Sequence, residues 1–255
     1  MSSAKINGID LHYQVHGEGD PVVFAHGAGG NLLSWWQQIA FFSQYYTCVT
    51  FDHRGFGRSI DLADGPLYAA FVDDLVGLMD HLDIDSAHLV AQSMGGRSAL
   101  GVAAAYPRRV KSLVMADTHG WPQDAELQGM TTRWREGHPA RDLAVRALAD
   151  GFQTRRPDLA MLYLQISRTN PPRGDGAGVT RLDGPAPAKL AAMNVPTLFI
   201  VGEEDDIIPP HVIEKAATFI PGSRVIRVPE AGHSVYFEKP EVFNFEVHRF
   251  IQGCG

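Results

Sequence analysis

The stretch His88-Leu89-Val90-Ala91-Gln92-Ser93-Met94-Gly95-Gly96-Arg97 decides how the rest of the 255-residue chain is read. An apolar run ends at a serine, and a Gly- and Ala-rich helical pattern follows until Pro107. Strand, sharp turn and helix together make the setting in which a serine can be held out as a nucleophile. The turn is so tight that the residues two before and two after the serine must be small. Ala91 and Gly95 meet that need, with alanine where glycine is commoner. A helix beginning at this turn directs its dipole at Ser93 and favours a developing anion there. The same letters also fit a serine that merely caps an ordinary helix, so the choice rests on the rest of the chain.

Working outward, Ile9 to Val15 alternates apolar and polar residues, as a half-buried antiparallel strand does. Val22–Ala25, Tyr46–Phe51, His88–Ala91, Val110–Ala116, Thr197–Val201 and Arg224–Val228 read as further strands. Most are continuous apolar runs, which suit parallel strands covered on both faces. Between them, Phe71, Leu75, Leu78 and Leu82 recur at helical spacing, leaving Asp73, Asp74 and Asp80 on positions expected to face water. Such alternation predicts an α/β fold: a mostly parallel central sheet with helices on both faces.

The alternation stops after Ala116. Residues 119–187 offer helical patterns at Asp124–Arg135, Ala140–Asp150 and Pro157–Ser167, a Pro- and Gly-rich stretch from Pro171 to Gly176, and no convincing strand. We therefore expect a core of residues 1–118 and 188–255 with a helical cap inserted at 119–187. Charge marks the same boundary. The chain carries 22 Lys and Arg against 29 Asp and Glu, a net charge of −7. The 119–187 block holds nine arginines and eight acids, a local net of +1, which leaves −8 for the core.

Composition narrows the function classes. The acidic balance argues against nucleic acid as an electrostatic partner. No apolar run nears the length that spans a bilayer, so no membrane role is expected. The N-terminus shows no secretory signal pattern. Two cysteines, Cys48 and Cys254, form no disulfide framework and no zinc-binding spacing. A reducing, cytoplasmic setting is expected.

A serine nucleophile needs oxyanion donors, a base and an orienting acid. His26-Gly27-Ala28-Gly29-Gly30 follows a strand and can turn a backbone N–H toward a substrate; the expected donors are the N–H groups of Ala28 and Met94. A dinucleotide loop fails on count, because Leu32 stands where the third glycine belongs. His233 lies past the last strand, within Glu230-Ala231-Gly232-His233-Ser234. Asp205 lies past the strand before it, within Gly202-Glu203-Glu204-Asp205-Asp206. Asp206 and Asp117 compete with Asp205 for the acid. His119, near the expected site mouth, is a candidate for touching substrate, but the preferred reading is a surface histidine at the cap entrance.

The order Ser93, Asp205, His233, each just past a strand end, resembles the α/β-hydrolase superfamily, and the resemblance covers nearly the whole length. Phe51-Asp52-His53-Arg54-Gly55-Phe56-Gly57-Arg58-Ser59, Tyr106-Pro107-Arg108-Arg109-Val110 and Gly232-His233-Ser234-Val235-Tyr236-Phe237-Glu238-Lys239-Pro240-Glu241 are similar to segments of that family. The first two read as structural turns. The resemblance implies a covalent acyl-enzyme on Ser93, hydrolysed by water under His233, with no metal or organic cofactor. It points to a small carboxylic ester or lactone as substrate.

Within the superfamily, Ser93 separates the chain from the aspartate-nucleophile dehalogenases and epoxide hydrolases. Cofactor-free haloperoxidases as a family carry Trp after the serine, where Met94 stands. Carbon–carbon bond hydrolases share the Ser-Met-Gly-Gly run but usually place Trp after the histidine, where Ser234 stands. They remain an alternative, as does a slow ligand receptor on the same scaffold. Arg97, one helical turn past Ser93, resembles the carboxylate-binding arginine of a menaquinone-pathway synthase, but Gln92 stands where that family has an aromatic, and an arginine anchoring its helix by ion pairs is the preferred reading. Trp121, Trp134, Phe152 and Tyr163 are candidates for an apolar pocket lining or for the cap's own core. Whether the arginine-bearing cap selects a substrate with a carboxylate is left open by charge alone.

Overall fold

The computed structural model describes residues 2–138, 146–172 and 183–254. Eight strands form one sheet: β1 (Ser2–Ile6), β2 (Ile9–His16), β3 (Pro21–Ala25), β4 (Thr47–Phe51), β5 (Ala87–Gln92), β6 (Val110–Ala116), β7 (Thr197–Gly202) and β8 (Arg224–Val228). Their spatial order is β1-β2-β4-β3-β5-β6-β7-β8. Strands β1, β2 and β4 pair antiparallel, and the remaining pairs are parallel.

The strands alternate their side chains between two cores. Val23, Ala25, Leu89, Ala91, Leu113, Met115, Phe199 and Val201 enter one hydrophobic cluster. Val22, Phe24, Val90, Val114, Ala116, Leu198 and Ile200 enter the other. Strands that are largely apolar can satisfy both faces, so β3 and β5 lie at the centre of the sheet and β7 lies inside its edge. Helices α2 (Phe71–His81) and α3 (Gly95–Ala105) cover the first face. Helix α1 (Trp36–Phe42) and the C-terminal helix cover the second.

β1 escapes the reading of hydrophobic runs because it is short and half exposed at the sheet edge. Its signal is the turn that follows. Asn7 and Gly8 both take positive φ, 43° and 85°, between the paired residues Ile6 and Ile9. Asn-Gly is the preferred pair for such a two-residue hairpin.

Asp74 corrects the expectation of a solvated face on α2. It is only 2% exposed. Its carboxylate accepts two hydrogen bonds from Arg54, from Nε at 2.7 Å and Nη2 at 2.8 Å. Asp73 and Asp80 are exposed as expected. Helical period locates a face but not a buried partner twenty residues away.

Between β6 and β7 the described residues form helices and no strand: α4 (Ala125–Gly137), α5 (Asp150–Arg155), α6 (Pro157–Arg168) and α7 (Pro187–Ala191). Asp124 caps α4 by accepting from the Leu127 N–H at 2.8 Å. The helix expected over Ala140–Asp150 lies largely outside the described residues, as does the stretch from Arg173 to Gly176. After β7 come α8 (Pro210–Ala217), α9 (Val235–Glu238) and α10 (Pro240–Gln252).

Candidate active site

The parallel strands bring their C-terminal ends to one edge, and the candidate residues gather there. Ser93 follows β5 with φ of +46°, a left-handed conformation that a non-glycine residue adopts only under constraint. The constraint is visible. Its N–H donates to the Ala116 carbonyl at 2.9 Å, and its carbonyl accepts from Gly96 at 2.8 Å. A Cβ at position 95 would collide with the Ala25 carbonyl, which is the physical reason for Gly95.

Ser93 Oγ lies 2.7 Å from His233 Nε2. His233 Nδ1 lies 2.8 Å from Asp205 Oδ2. The second oxygen of Asp205 accepts from the N–H groups of Ile207 and Ile208 at 2.8 and 2.9 Å. All three residues are buried. Burial opposes charge on His233, but the charge and hydrogen bond of Asp205, with Asp117 adding, hold its pKa above the ordinary value.

The two rival acids are placed elsewhere. Asp117 has φ of +49° and accepts from Gly202 N–H at 2.9 Å and Val235 N–H at 3.0 Å. It ties the ends of β6 and β7 to the segment after His233. Burial and the nearby charge of Asp205 push its pKa well above the carboxylate range. Asp206 turns toward the β6–β7 segment, where it pairs with Arg146 at 3.1 Å.

Ala28 and Met94, the two expected oxyanion donors, belong to one small hydrophobic cluster with Phe56 and Phe71. The loop carrying Ala28 is braced from several sides. His26 Nδ1 pairs with the Gly27 carbonyl at 2.8 Å, and its Nε2 accepts from the His53 N–H at 3.0 Å. Asp52 accepts from Leu32 and Arg58 N–H groups at 2.8 and 2.9 Å.

Several supports escape sequence reasoning. Gln92 Nε2 donates to the His233 carbonyl at 2.7 Å. Asn170 Nδ2 donates to the Gly30 carbonyl at 3.1 Å, while its Oδ1 accepts from the Gly57 N–H at 2.8 Å. Buried Glu238 accepts from Gly232 at 2.9 Å and Ala149 at 3.0 Å. Burial raises its pKa to about 7 against those backbone hydrogen bonds. The Asn-Pro step at 170–171 is a turn signal that marks one of them.

The candidate pocket residues are dispersed. Arg97 pairs with Asp183 at 2.5 Å and stacks on Trp121, its Cζ 4.8 Å from the ring centroid. Trp121 is 2% exposed and belongs to a core cluster, so it is a packing residue rather than an open wall. Trp134 donates its indole N–H to the Asp206 carbonyl at 3.1 Å and stacks on His138. Phe152 and Tyr163 are buried in the other core, with Tyr163 Oη accepting from Ser234 Oγ at 3.3 Å. His119 corrects the expectation of a surface residue: it is 1% exposed. Its own turn folds it under, its Nδ1 accepting the Trp121 N–H at 2.9 Å.

Among the described residues no group of three His, Cys, Asp or Glu side chains could hold a metal ion. No helix among them is long and apolar enough to cross a membrane.

This sheet, with its serine at the turn after β5, defines a class that comparison makes definite. The sequence model of a family described as alpha/beta hydrolase fold matches residues 20–240, and the chain belongs to that family. BpoC of Mycobacterium tuberculosis, provisionally named a non-heme bromoperoxidase, is 30% identical over 95% of this chain and 98% of its own. The 3-oxoadipate enol-lactonase 2 of Acinetobacter baylyi is 27% identical over 96% of this chain and 94% of its own. A solved thermophilic esterase from Thermogutta terrifontis is 28% identical, covering 100% of this chain and 97% of that one with a TM-score of 0.83.

Proposed function

We propose that the chain is a serine hydrolase that cleaves a small carboxylic ester or lactone through a covalent acyl-enzyme. One observation carries this reading: the unbroken relay from Ser93 Oγ through His233 to Asp205, at 2.7 and 2.8 Å. In it His233 takes the Ser93 proton as Oγ attacks the substrate carbonyl, and Asp205 holds the imidazole and stabilises its charge. The N–H groups of Ala28 and Met94 stabilise the oxyanion. His233 then returns the proton to the leaving alkoxide, and water repeats the sequence to release the acid. Residues 119–187 act as a cap that shapes the pocket. The similarity to an enol-lactonase and an esterase supports the substrate class.

A fluorophosphonate probe tests the reading. Labelling of the native protein and none of Ser93→Ala is the expected result, together with Ser93-dependent turnover of short-chain esters or lactones. Absent labelling, or equal labelling of both proteins, overturns it.

A further inference from the structure

Two unmet groups come from opposite ends of the stretch between β6 and the end of α4. The first is His119. Its Nδ1 accepts the Trp121 N–H, so the ring's proton is assigned to Nε2. Nε2 is buried and has no hydrogen-bond partner among the described residues. Native proteins rarely leave a buried donor without an acceptor, and an exception at a functional edge asks for a ligand. Burial pushes the His119 pKa down to about 3, and the charges of Arg135, Arg97 and His233 push the same way. The ring is therefore a neutral N–H donor throughout the working pH range, close enough to His233 to feel its charge.

The second group is Arg135, near the C-terminal end of α4. Arg97 has Asp183 as counter-ion and Arg146 has Asp206. Arg135 has no side-chain hydrogen bond and no ion pair among the described residues. It is exposed by area, yet the protein around its head lowers its pKa, with repulsion from Arg146 adding to the effect. Arg135 is thus a cation open to solvent, without a counter-ion among the described residues, and can take an anion that reaches it.

We propose that His119 and Arg135 together bind a carboxylate of the substrate, so that the ester or lactone cleaved at Ser93 is itself an acid. A neutral acceptor would satisfy His119 and leave Arg135 unpaired. A carboxylate satisfies both, through one N–H from the imidazole and charge-assisted bonds from the guanidinium. The proposal rests on Ser93 being the nucleophile, and it adds the part of the substrate remote from the scissile bond.

The test pairs monoethyl esters of four- to six-carbon diacids with the corresponding ethyl ester carboxamides, which match in size and lack the charge. Wild type is expected to favour the acid by about tenfold or more in kcat/KM, mostly through KM. Arg135→Gln and His119→Phe are each expected to collapse that ratio toward one. Arg133→Gln, on the same helix, keeps it. Equal efficiency of wild type on acid and carboxamide overturns the proposal, as does an unchanged ratio in Arg135→Gln. Calorimetry on Ser93→Ala with the same pair separates the two readings. Preferential binding of the acid without any turnover by wild type sinks the hydrolase and keeps the carboxylate site. Turnover with no preference in binding does the reverse.

Discussion

Gln92 and His233 are joined across the candidate site: the Gln92 side-chain amide donates to the His233 backbone carbonyl at 2.7 Å. The residue just before the serine thus sets the height of the loop that carries the base. Gln92→Met keeps length and loses the donor. We expect kcat to fall by about tenfold, the equivalent of roughly 1.4 kcal/mol, with KM little changed. Steady-state ester kinetics beside thermal denaturation check this. A variant that loses stability but keeps kcat would assign Gln92 to folding alone.

The pH profile follows from the environment of His233. A protonated imidazole cannot accept the Ser93 proton. Its pKa is raised, burial being outweighed by Asp205 and Asp117. Activity is therefore expected to fall as pH drops through a value above the ordinary histidine range of about 6.5. Asp205→Asn removes the largest favourable charge, so the acid limb of its residual kcat/KM profile should move to lower pH. An upward displacement in that variant would contradict the pairing.

Strain at Ser93 predicts opposite effects on stability and catalysis. Its φ of +46° suits glycine, which has no Cβ to clash. Ser93→Gly is expected to raise unfolding stability by about 1 kcal/mol while abolishing turnover. Ser93→Ala abolishes turnover without that gain. Denaturant titration of the two variants distinguishes them.

Asp74 and Arg54 form a buried pair whose partners are 2% and 1% exposed. Asp74→Ala removes the paired Nε and Nη2 hydrogen bonds of a buried guanidinium, leaving it the Asp61 carboxylate at 3.0 Å, and should cost about 3 kcal/mol. The double variant Asp74→Leu with Arg54→Met should recover most of that loss. Chemical denaturation of the single and double variants checks the prediction; equal losses in both would mean that packing, not charge, dominates at the site.

Much of this architecture is written in local pattern. Apolar runs such as Val22–Ala25 and Thr197–Val201 announce buried parallel strands because both of their faces need apolar cover. Parallel strands end on a common edge, so the positions of Ser93, Asp205 and His233 past strand ends are readable too. What escapes is any property set by a distant partner. Asp74 looks solvated until Arg54 reaches it from a loop. His119 looks exposed until its turn onto Trp121 buries it. Arg97 looks available for a substrate until Asp183 meets it across 86 residues of chain. The helical block hides most, because its side chains answer to neighbours that no short spacing records.

Asn170 bonds the carbonyl of Gly30 and the N–H of Gly57 at once, while Asn31 donates to Thr169 Oγ1 at 2.7 Å. The end of α6 and the loop bearing Ala28 are therefore clamped as one piece. A chimera that borrows residues 119–187 from a relative would import more than a new pocket. It would also replace one jaw of this clamp, and a donor lacking an amide at position 170 would unseat the loop bearing Ala28 along with changing the pocket.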